Sequence, residues 1–285
     1  MALLEIVNLN KIYGKHQALH DISMEINAGE IVALIGKNGA GKTTLLNIIS
    51  SRIFPTSGDV IYKGTTLLQN ESKLNEFGIL IEPTFVPYLN AYENLAIIAE
   101  LIGIREPDTI INELLDMVGL HDKSNKKTRT FSFGMKQRLG LAMSLLNNPH
   151  FLILDEPFVG LDPVGKDIFK DVLTKKAQKE GVGILFSSHD LEDVEEICDR
   201  VVMIDSGEKR FDGGISYDKR LVLKYDQSIS DVDFEEISGV EVDKDRIVVF
   251  QADNIERVIA KTKELGMKIV DFEMEKDSLY DFFKK

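Results

Sequence analysis

The octapeptide Gly36-Lys37-Asn38-Gly39-Ala40-Gly41-Lys42-Thr43 follows the apolar run Ile31–Ile35 and precedes Thr44–Ser50, whose pattern is helical. Its glycines let the backbone bend until successive N–H groups converge on an anion, and a helix starting there adds its positive end. Lys42 is placed to reach the outer phosphates of a nucleoside triphosphate, and the Thr43 hydroxyl to ligate Mg²⁺. A second constellation, Phe151-Leu152-Ile153-Leu154-Asp155-Glu156, is an apolar run that ends in two carboxylates. Acids delivered at the C-terminal end of a buried parallel strand lie in the ligand crevice of the sheet. Asp155 suits a hard cation, which prefers oxygen ligands, and Glu156 is placed to polarise an attacking water.

The elements that must position these groups are also legible. Ile31–Ile35, Phe151–Leu154 and Val182–Phe186 are apolar on both faces, as expected of parallel strands covered by helices. The helical stretch Lys166–Lys179 between the last two gives a βαβ order. Residues 2–35 read as strands, with an alternating edge strand carrying Leu4, Ile6 and Leu9 and a turn at Asn27-Ala28-Gly29-Glu30. From about Asn90 to Asn148 the periodicity is helical: Leu95, Ile98, Leu101 and Ile102 define one face, and Ile111, Leu114, Leu115 and Val118 another. Past Gly213-Gly214 the character changes, and Leu221–Tyr225, Glu241–Gln251, a helix Ile255–Leu265 and Lys268–Glu273 predict a small α+β appendage. The domain organisation expected is therefore residues 1–214 followed by 215–285.

Composition narrows the classes of function. The chain has 285 residues and a net charge of −13, which argues against a nucleic-acid coat and leaves room for a local anion site. Cys198 is the only cysteine, so no internal disulfide forms; with Leu191, Val194 and Ile197 it predicts an apolar helix face. The apolar runs fall far short of the ~18 residues a membrane helix needs. Met1–Asn10 lacks the basic start of a signal peptide. Work at a membrane would then require a partner.

Taken together, these residues resemble one family closely, the ATP-binding subunits of ABC transporters. The resemblance runs from Leu4 to about Gly213. Phe131-Ser132-Phe133-Gly134-Met135 stands where the family has its LSGGQ signature, Gly160-Leu161-Asp162 fits the D-loop, and Ser188-His189-Asp190 carries the switch histidine. Tyr13, before Gly14, fits the aromatic that stacks on adenine. The resemblance implies an α/β P-loop NTPase core with an antiparallel β subdomain and a helical subdomain at about residues 84–150. It implies ATP and Mg²⁺ as cofactors, with nucleotide bound by Tyr13 and by Gly36 through Thr44. It also implies Glu156 and His189 as catalytic residues, and Ser132, Phe133, Gly134 and Met135 acting on ATP held by another cassette. That other cassette would be a second copy or a homologue, with Asp162 contacting it. An integral membrane permease subunit completes the assembly, holding this chain at the cytoplasmic face of the membrane.

The chain also departs from the family pattern. Where the family usually carries Gln, counting forward from Gly78 places Glu82 and counting back from Glu93-Asn94-Leu95 places Ile81. Only Glu82 can coordinate a cation, so it joins Thr43 and Asp155 as a candidate metal ligand. A Glu here, with the Gly-Met-Lys-Gln-Arg-Leu string at 134–139, resembles the bacitracin- and lantibiotic-resistance branch. That branch implies export of an antibiotic or antimicrobial peptide. Phe133 and Met135 replace a Gly and a Gln of the signature while leaving its backbone donors in place. The loop Pro83–Tyr92, with Phe85, Val86, Tyr88 and Tyr92, is a candidate docking surface for the permease. The basic residues Lys123, Lys126, Lys127 and Arg129 read as a solvated face. A competing class, a soluble ATPase acting on ribosomes or DNA, meets a single cassette here, with only 112 residues between Lys42 and Asp155.

Overall fold

A computed structural model of the chain describes residues 2–67, 70–214, 219–226, 229, 234, 237, 239–249 and 254–276. They form two compact units, Met1–Ile215 and Ser216–Lys285.

The first unit opens with strands β1 (Leu4–Tyr13), β2 (His16–Ile26) and β3 (Ile31–Ile35), helix α1 (Lys42–Ile49), and strands β4 (Ser57–Tyr62), β5 (Thr65–Thr66) and β6 (Phe77–Leu80). Helices α2 (Ala91–Leu101), α3 (Asp108–Met117) and α4 (Phe133–Leu145) follow. Then come β7 (Phe151–Leu154), α5 (Pro163–Glu180), β8 (Gly183–Ser188), α6 (Leu191–Ile197), β9 (Arg200–Asp205) and β10 (Glu208–Gly214). Two sheets result. One is antiparallel, in the order β2-β1-β4-β5, and the other runs β10-β9-β3-β8-β7-β6, parallel except for β10 at its edge. β1 is not the edge strand its alternation suggested: it pairs with β2 on one side and β4 on the other. Its alternating pattern records one face on the core and one in solvent, which interior antiparallel strands show as readily as edges.

One buried cluster joins both sheets, with Leu4, Ile22 and Tyr62 from the first meeting Val32, Ile153 and Leu185 from the second. Leu45, Leu46, Ile48 and Ile49 of α1 are all buried in it. An eight-residue helix is marginal alone, so this burial on several sides is what fixes the start of α1. Gly183, Ile184, Leu185 and Phe186 of β8 and all four residues of β7 are fully enclosed, in agreement with their two-faced apolar runs.

The segment between β6 and β7 is helical. Asn90 starts α2 with a reciprocal capping box to Glu93, which satisfies two otherwise orphaned N–H groups. Ile111, Leu114, Leu115 and Val118 are buried as their spacing predicts. In α2 the expectation holds only in part: Leu95 is enclosed, whereas Leu101 is 79% exposed and Ile102 is about half exposed. The core-facing positions are instead Ala91, Asn94, Leu95 and Ala99, a stripe whose small and polar members hid it from a search for large apolar residues.

In the second unit, β11 (Lys219–Tyr225), β12 (Val240–Asp243), β13 (Arg246–Val249), α7 (Ile255–Glu264) and β14 (Ile269–Lys276) build an antiparallel sheet in the order β12-β13-β11-β14. Leu223, Tyr225, Ile247, Val249 and Val258 form its core. The stretch Glu241–Gln251 is a hairpin rather than one strand. Asp243 pairs with Arg246 across a two-residue turn in which Lys244 takes a positive φ of 52°. Residues 250 and 251 lie outside the described residues.

Candidate functional site

Gly41 caps the N-terminus of α1 at φ 113°, and neither a side-chain cap nor an acidic residue occupies the first turn. The positive end of the helix therefore keeps its free N–H groups for an incoming anion. Glycine is obligatory here. A Cβ on Gly36 would lie 2.2 Å from the Ile204 carbonyl oxygen, and one on Gly41 2.8 Å from that of Ala18. The loop is thus pressed against β9 and β2 and held in one shape.

The carboxyl ends of β3, β7 and β8 bring the chemistry together, outside the sheet as an open parallel fold requires. Lys42 is buried, and its Nζ donates to the Gly36 carbonyl at 2.6 Å and stands 3.7 Å from Glu156 Oε1. Thr43 Oγ1 donates to Asp155 Oδ2 at 2.9 Å. On the other side of the same carboxylate, the Ser187 hydroxyl donates to Asp155 Oδ1 and accepts the Glu156 N–H at 2.9 Å. Glu156 sits at φ 47°, which turns its side chain back toward the loop, where Oε2 meets His189 Nδ1 at 2.9 Å. A pocket of about 380 Å³ opens over this group, lined among others by Tyr13, Asn38, Gly39, Lys42, Thr44 and Glu156, with Lys37, Gly41 and Thr43 completing its phosphate-loop wall. Tyr13 is 47% exposed at the rim, with the Lys11 ammonium 4.9 Å from its ring centroid.

Ser132, Phe133, Gly134, Met135 and Asp162 do not line this pocket. They form a separate surface at the starts of α4 and α5. Ser132 is the N-cap of α4, its hydroxyl accepting from the Met135 N–H at 3.2 Å. Asp162 is the N-cap of α5, accepting from the Gly165 N–H at 2.8 Å, with Pro163 at the first helical position. Phe133 is 57% exposed and lies over Gly160, where a Cβ would fall 2.3 Å from the ring. The segments 132–135 and 160–162 of one chain therefore touch.

Glu82 also lies off the pocket lining, exposed at the end of β6. Register explains its place: Leu80 pairs with Leu154, so Glu82 leaves the sheet level with Glu156, and both residues adopt a left-handed φ (49° and 47°). Among the described residues no three His, Cys, Asp or Glu side chains gather into a metal cage. The Thr43 hydroxyl and Asp155 carboxylate do supply the hard oxygens Mg²⁺ takes when phosphates and water complete its shell, so the site fits that ion.

The sequence pattern left Ser187 without a role and showed Gln137 only as part of the 134–139 string. Ser187 is wholly enclosed and holds both acidic residues in place; Gln137 donates to the Glu156 carbonyl at 3.4 Å. The only signal for Ser187 was a hydroxyl standing at the end of a two-faced apolar strand. Cys198 follows α6 rather than lying within it, and burial, then the Asp199 charge, push its thiol well above the ordinary range.

Residues 19–159 match the ABC transporter family. The chain is 40% identical over 216 residues to the lantibiotic transport ATP-binding protein SrtF of Streptococcus pyogenes, covering 74% of this chain and 92% of that protein. The chain belongs to the ABC transporter ATP-binding family. A second ABC relative, the bacitracin transport ATP-binding protein BcrA of Bacillus licheniformis, is 33% identical over 299 aligned positions, covering 99% of this chain and 96% of BcrA. That match includes the C-terminal unit. Among solved structures, the dimeric ABC cassette MJ0796 superposes with a TM-score of 0.69 at 25% identity, covering 75% of this chain and 99% of the other. The same cassette is also known in a dimeric post-hydrolysis state with ADP and Pi. This protein is accordingly an ABC-type ATPase that binds ATP and hydrolyses it as a transporter subunit, which sets aside the ribosome or DNA reading.

Proposed function

We propose that this ATPase drives an export pump for an antibiotic or antimicrobial peptide, working as an ATP-sandwich dimer against a membrane permease. The observation that carries the reading is the convergence of Lys42 and His189 on the two oxygens of Glu156, beside the Thr43–Asp155 pair. In this scheme Lys42 leaves the Gly36 carbonyl for the outer phosphates of ATP while the N–H groups of the loop hold the rest of the triphosphate. Tyr13 packs on the adenine. Glu156 takes the proton of the attacking water, and His189 orients that water and the γ-phosphate. Mg²⁺, held by Thr43 and Asp155 with Glu82 as a further oxygen donor, would neutralise charge on the β- and γ-phosphates.

The second surface serves the partner cassette. With its oxygen accepting from Met135 N–H, Ser132 keeps its own proton to donate, and the start of α4 offers it to a γ-phosphate held by the other chain. Asp162 and the exposed Phe133 lie on the same face. Two copies would then close on two ATP molecules and separate after hydrolysis. Residues 1–214 form the motor, and 215–285 an appendage shared with BcrA.

No described helix is long and apolar enough to cross a membrane. Membrane attachment is assigned to the permease, at the cytoplasmic face. Exposed apolar side chains of the helical lobe, Val86 and Tyr88 in the segment Pro83–Tyr92, whose last two residues begin α2, and Leu101 and Ile102 at the end of α2, supply the contact. A peptide or antibiotic cargo is supported by the likeness to SrtF, a lantibiotic transport ATP-binding protein, and BcrA, a bacitracin transport ATP-binding protein. The deciding experiment is Glu156→Gln. Turnover of ATP should fall by about a thousandfold or more, as loss of a base that acts with positioned partners does. ATP should also convert the variant to a dimer on size-exclusion chromatography. Wild-type turnover in that variant refutes the role of Glu156.

A further inference from the structure

Beyond the residues that meet the nucleotide pocket lies a charged cluster for which the hydrolytic scheme has no use. Asp193, in the first turn of α6, is 2% exposed, yet it carries a carboxylate. Two lysines one turn apart on α5 reach it. Lys166 Nζ is 2.6 Å from Oδ2 and Lys170 Nζ 2.8 Å from Oδ1. Lys170 also binds Glu196 at 2.6 Å, on the outer side of α6. Lys166 reaches the other way, to Asp190 Oδ2 at 3.3 Å. Asp190 is the residue directly after His189, and its carboxylate caps α6 by accepting the Glu192 N–H at 3.1 Å.

Lys166 thus stands at a junction. Its backbone N–H closes the first turn of α5 on the Asp162 carbonyl at 2.9 Å, so it belongs to the turn that begins at the D-loop. Its ammonium belongs to the loop that carries the switch histidine. A second pocket, of about 230 Å³, opens at this point, lined by Glu156, Gly160, Leu161, Lys166, His189 and Asp190 among others. The Lys166–Asp190 ion pair links the α5 turn that follows the D-loop to the residue beside the histidine that contacts Glu156.

We propose that Lys166 is a positioning residue for hydrolysis: it ties the D-loop end of α5 to the switch-histidine loop, so that docking of a partner cassette at Asp162 is transmitted to the His189–Glu156 pair already formed in the single chain and holds it in place during turnover. Lys170 holds the same buried carboxylate without touching Asp190, and acts as the structural half of the staple. The proposal rests on the assignment of Glu156 and His189 as the hydrolytic pair. It makes each active site respond to the dimer contact beside it rather than to nucleotide alone.

The chemistry separates the two lysines experimentally. Replacing Lys166 with Met keeps the aliphatic stem and leaves Asp193 paired with Lys170, so no buried charge is orphaned and the fold is retained. In the full chain, Lys166→Met is expected to lower kcat by about tenfold or more, as a small misplacement of a catalytic group does, with the KM for ATP unchanged within about twofold. Lys166→Arg, which can bridge the same two carboxylates, is expected to restore kcat. Lys170→Met should leave kcat near wild type and lower thermal stability instead. Hydrogen exchange, read on peptides spanning residues 186–198, gives a measure independent of turnover: ATP should protect this segment in the wild type and in Lys166→Arg, and protect it less in Lys166→Met. Unchanged kcat and unchanged protection in Lys166→Met overturn the proposal, and so does an equal loss of kcat in Lys170→Met. A wild-type Glu156→Gln would instead remove the hydrolytic assignment while the exchange measurement still reports on the staple.

Discussion

Ser187 shows how much of this site depends on a wholly enclosed residue behind the two carboxylates. One hydroxyl orients Asp155 so that the opposite oxygen faces Thr43, and it satisfies the N–H of Glu156, a residue held at a positive φ. Replacing it with Ala leaves that half-buried N–H without its acceptor, at a cost of about 1 kcal/mol. It also frees the Asp155 carboxylate to rotate. Ser187→Ala is therefore expected to lower kcat by about tenfold, which corresponds to about 1.4 kcal/mol of lost transition-state stabilisation. Ser187→Thr keeps the hydroxyl and should recover most of the rate. Steady-state kinetics on the three proteins checks this, and an Ala variant with wild-type kcat removes Ser187 from the account. The residue was invisible in the sequence for a physical reason. Gly36–Thr43 announces itself because a phosphate needs several donors at fixed spacing along one loop, whereas Ser187 acts across 31 and 32 positions on groups that only the parallel pairing of β7 and β8 brings near.

At the scale of elements, the sheet is tied at both ends. Its carboxyl end holds the nucleotide chemistry; at the opposite end Glu76, just before β6, gathers Lys63 from the turn between β4 and β5, Tyr62 at 3.1 Å and His150 at 3.0 Å. Burial pushes the Glu76 carboxyl up, but the hydrogen bonds from Lys63, His150 and Tyr62 outweigh it and hold the group down at about 2. A carboxylate whose folded pKa is depressed stabilises the fold above its unfolded pKa, and the stabilisation fades as pH falls through the folded one. The window here runs from about 4.5 down to about 2. Thermal melting of the wild type should drop across that window more steeply than that of Glu76→Gln; parallel curves would show that the cluster adds nothing. The same scale shows what a one-dimensional pattern conveys. β3, β7 and β8 were evident from runs apolar on both faces, because burial between helices leaves no polar side. The core face of α2 was misplaced because Asn94 and Ala99 occupy it while Leu101 and Ile102 face out. Exposed apolar residues satisfy a helical period as well as buried ones do. The hairpin at Lys244-Asp245 escaped because neither residue is the Gly or Asn that usually marks such a turn.

At the scale of the whole molecule, charge becomes the deciding quantity. Each copy carries −13, and an ATP-bound dimer brings two such bodies together around two further anions. In the proposed dimer the surface at the starts of α4 and α5 would oppose this locally with helix N-termini, whose attraction acts only within a turn or so. General repulsion acts over the Debye length, about 30 Å at 0.01 M salt and about 10 Å at 0.1 M. The two contributions would therefore respond differently to salt: screening removes the long-range repulsion first and would leave the proposed short contacts to the phosphates largely intact. Dimerisation of Glu156→Gln with ATP and Mg²⁺ is expected to tighten by several-fold between about 10 and 100 mM NaCl, the range over which the repulsion is screened. Sedimentation velocity across that range measures it. Steady weakening as salt is added would mean that complementary charges across the interface dominate, and would transfer the assembly of the motor from apolar and phosphate contacts at Ser132 and Phe133 to ion pairs between the two chains.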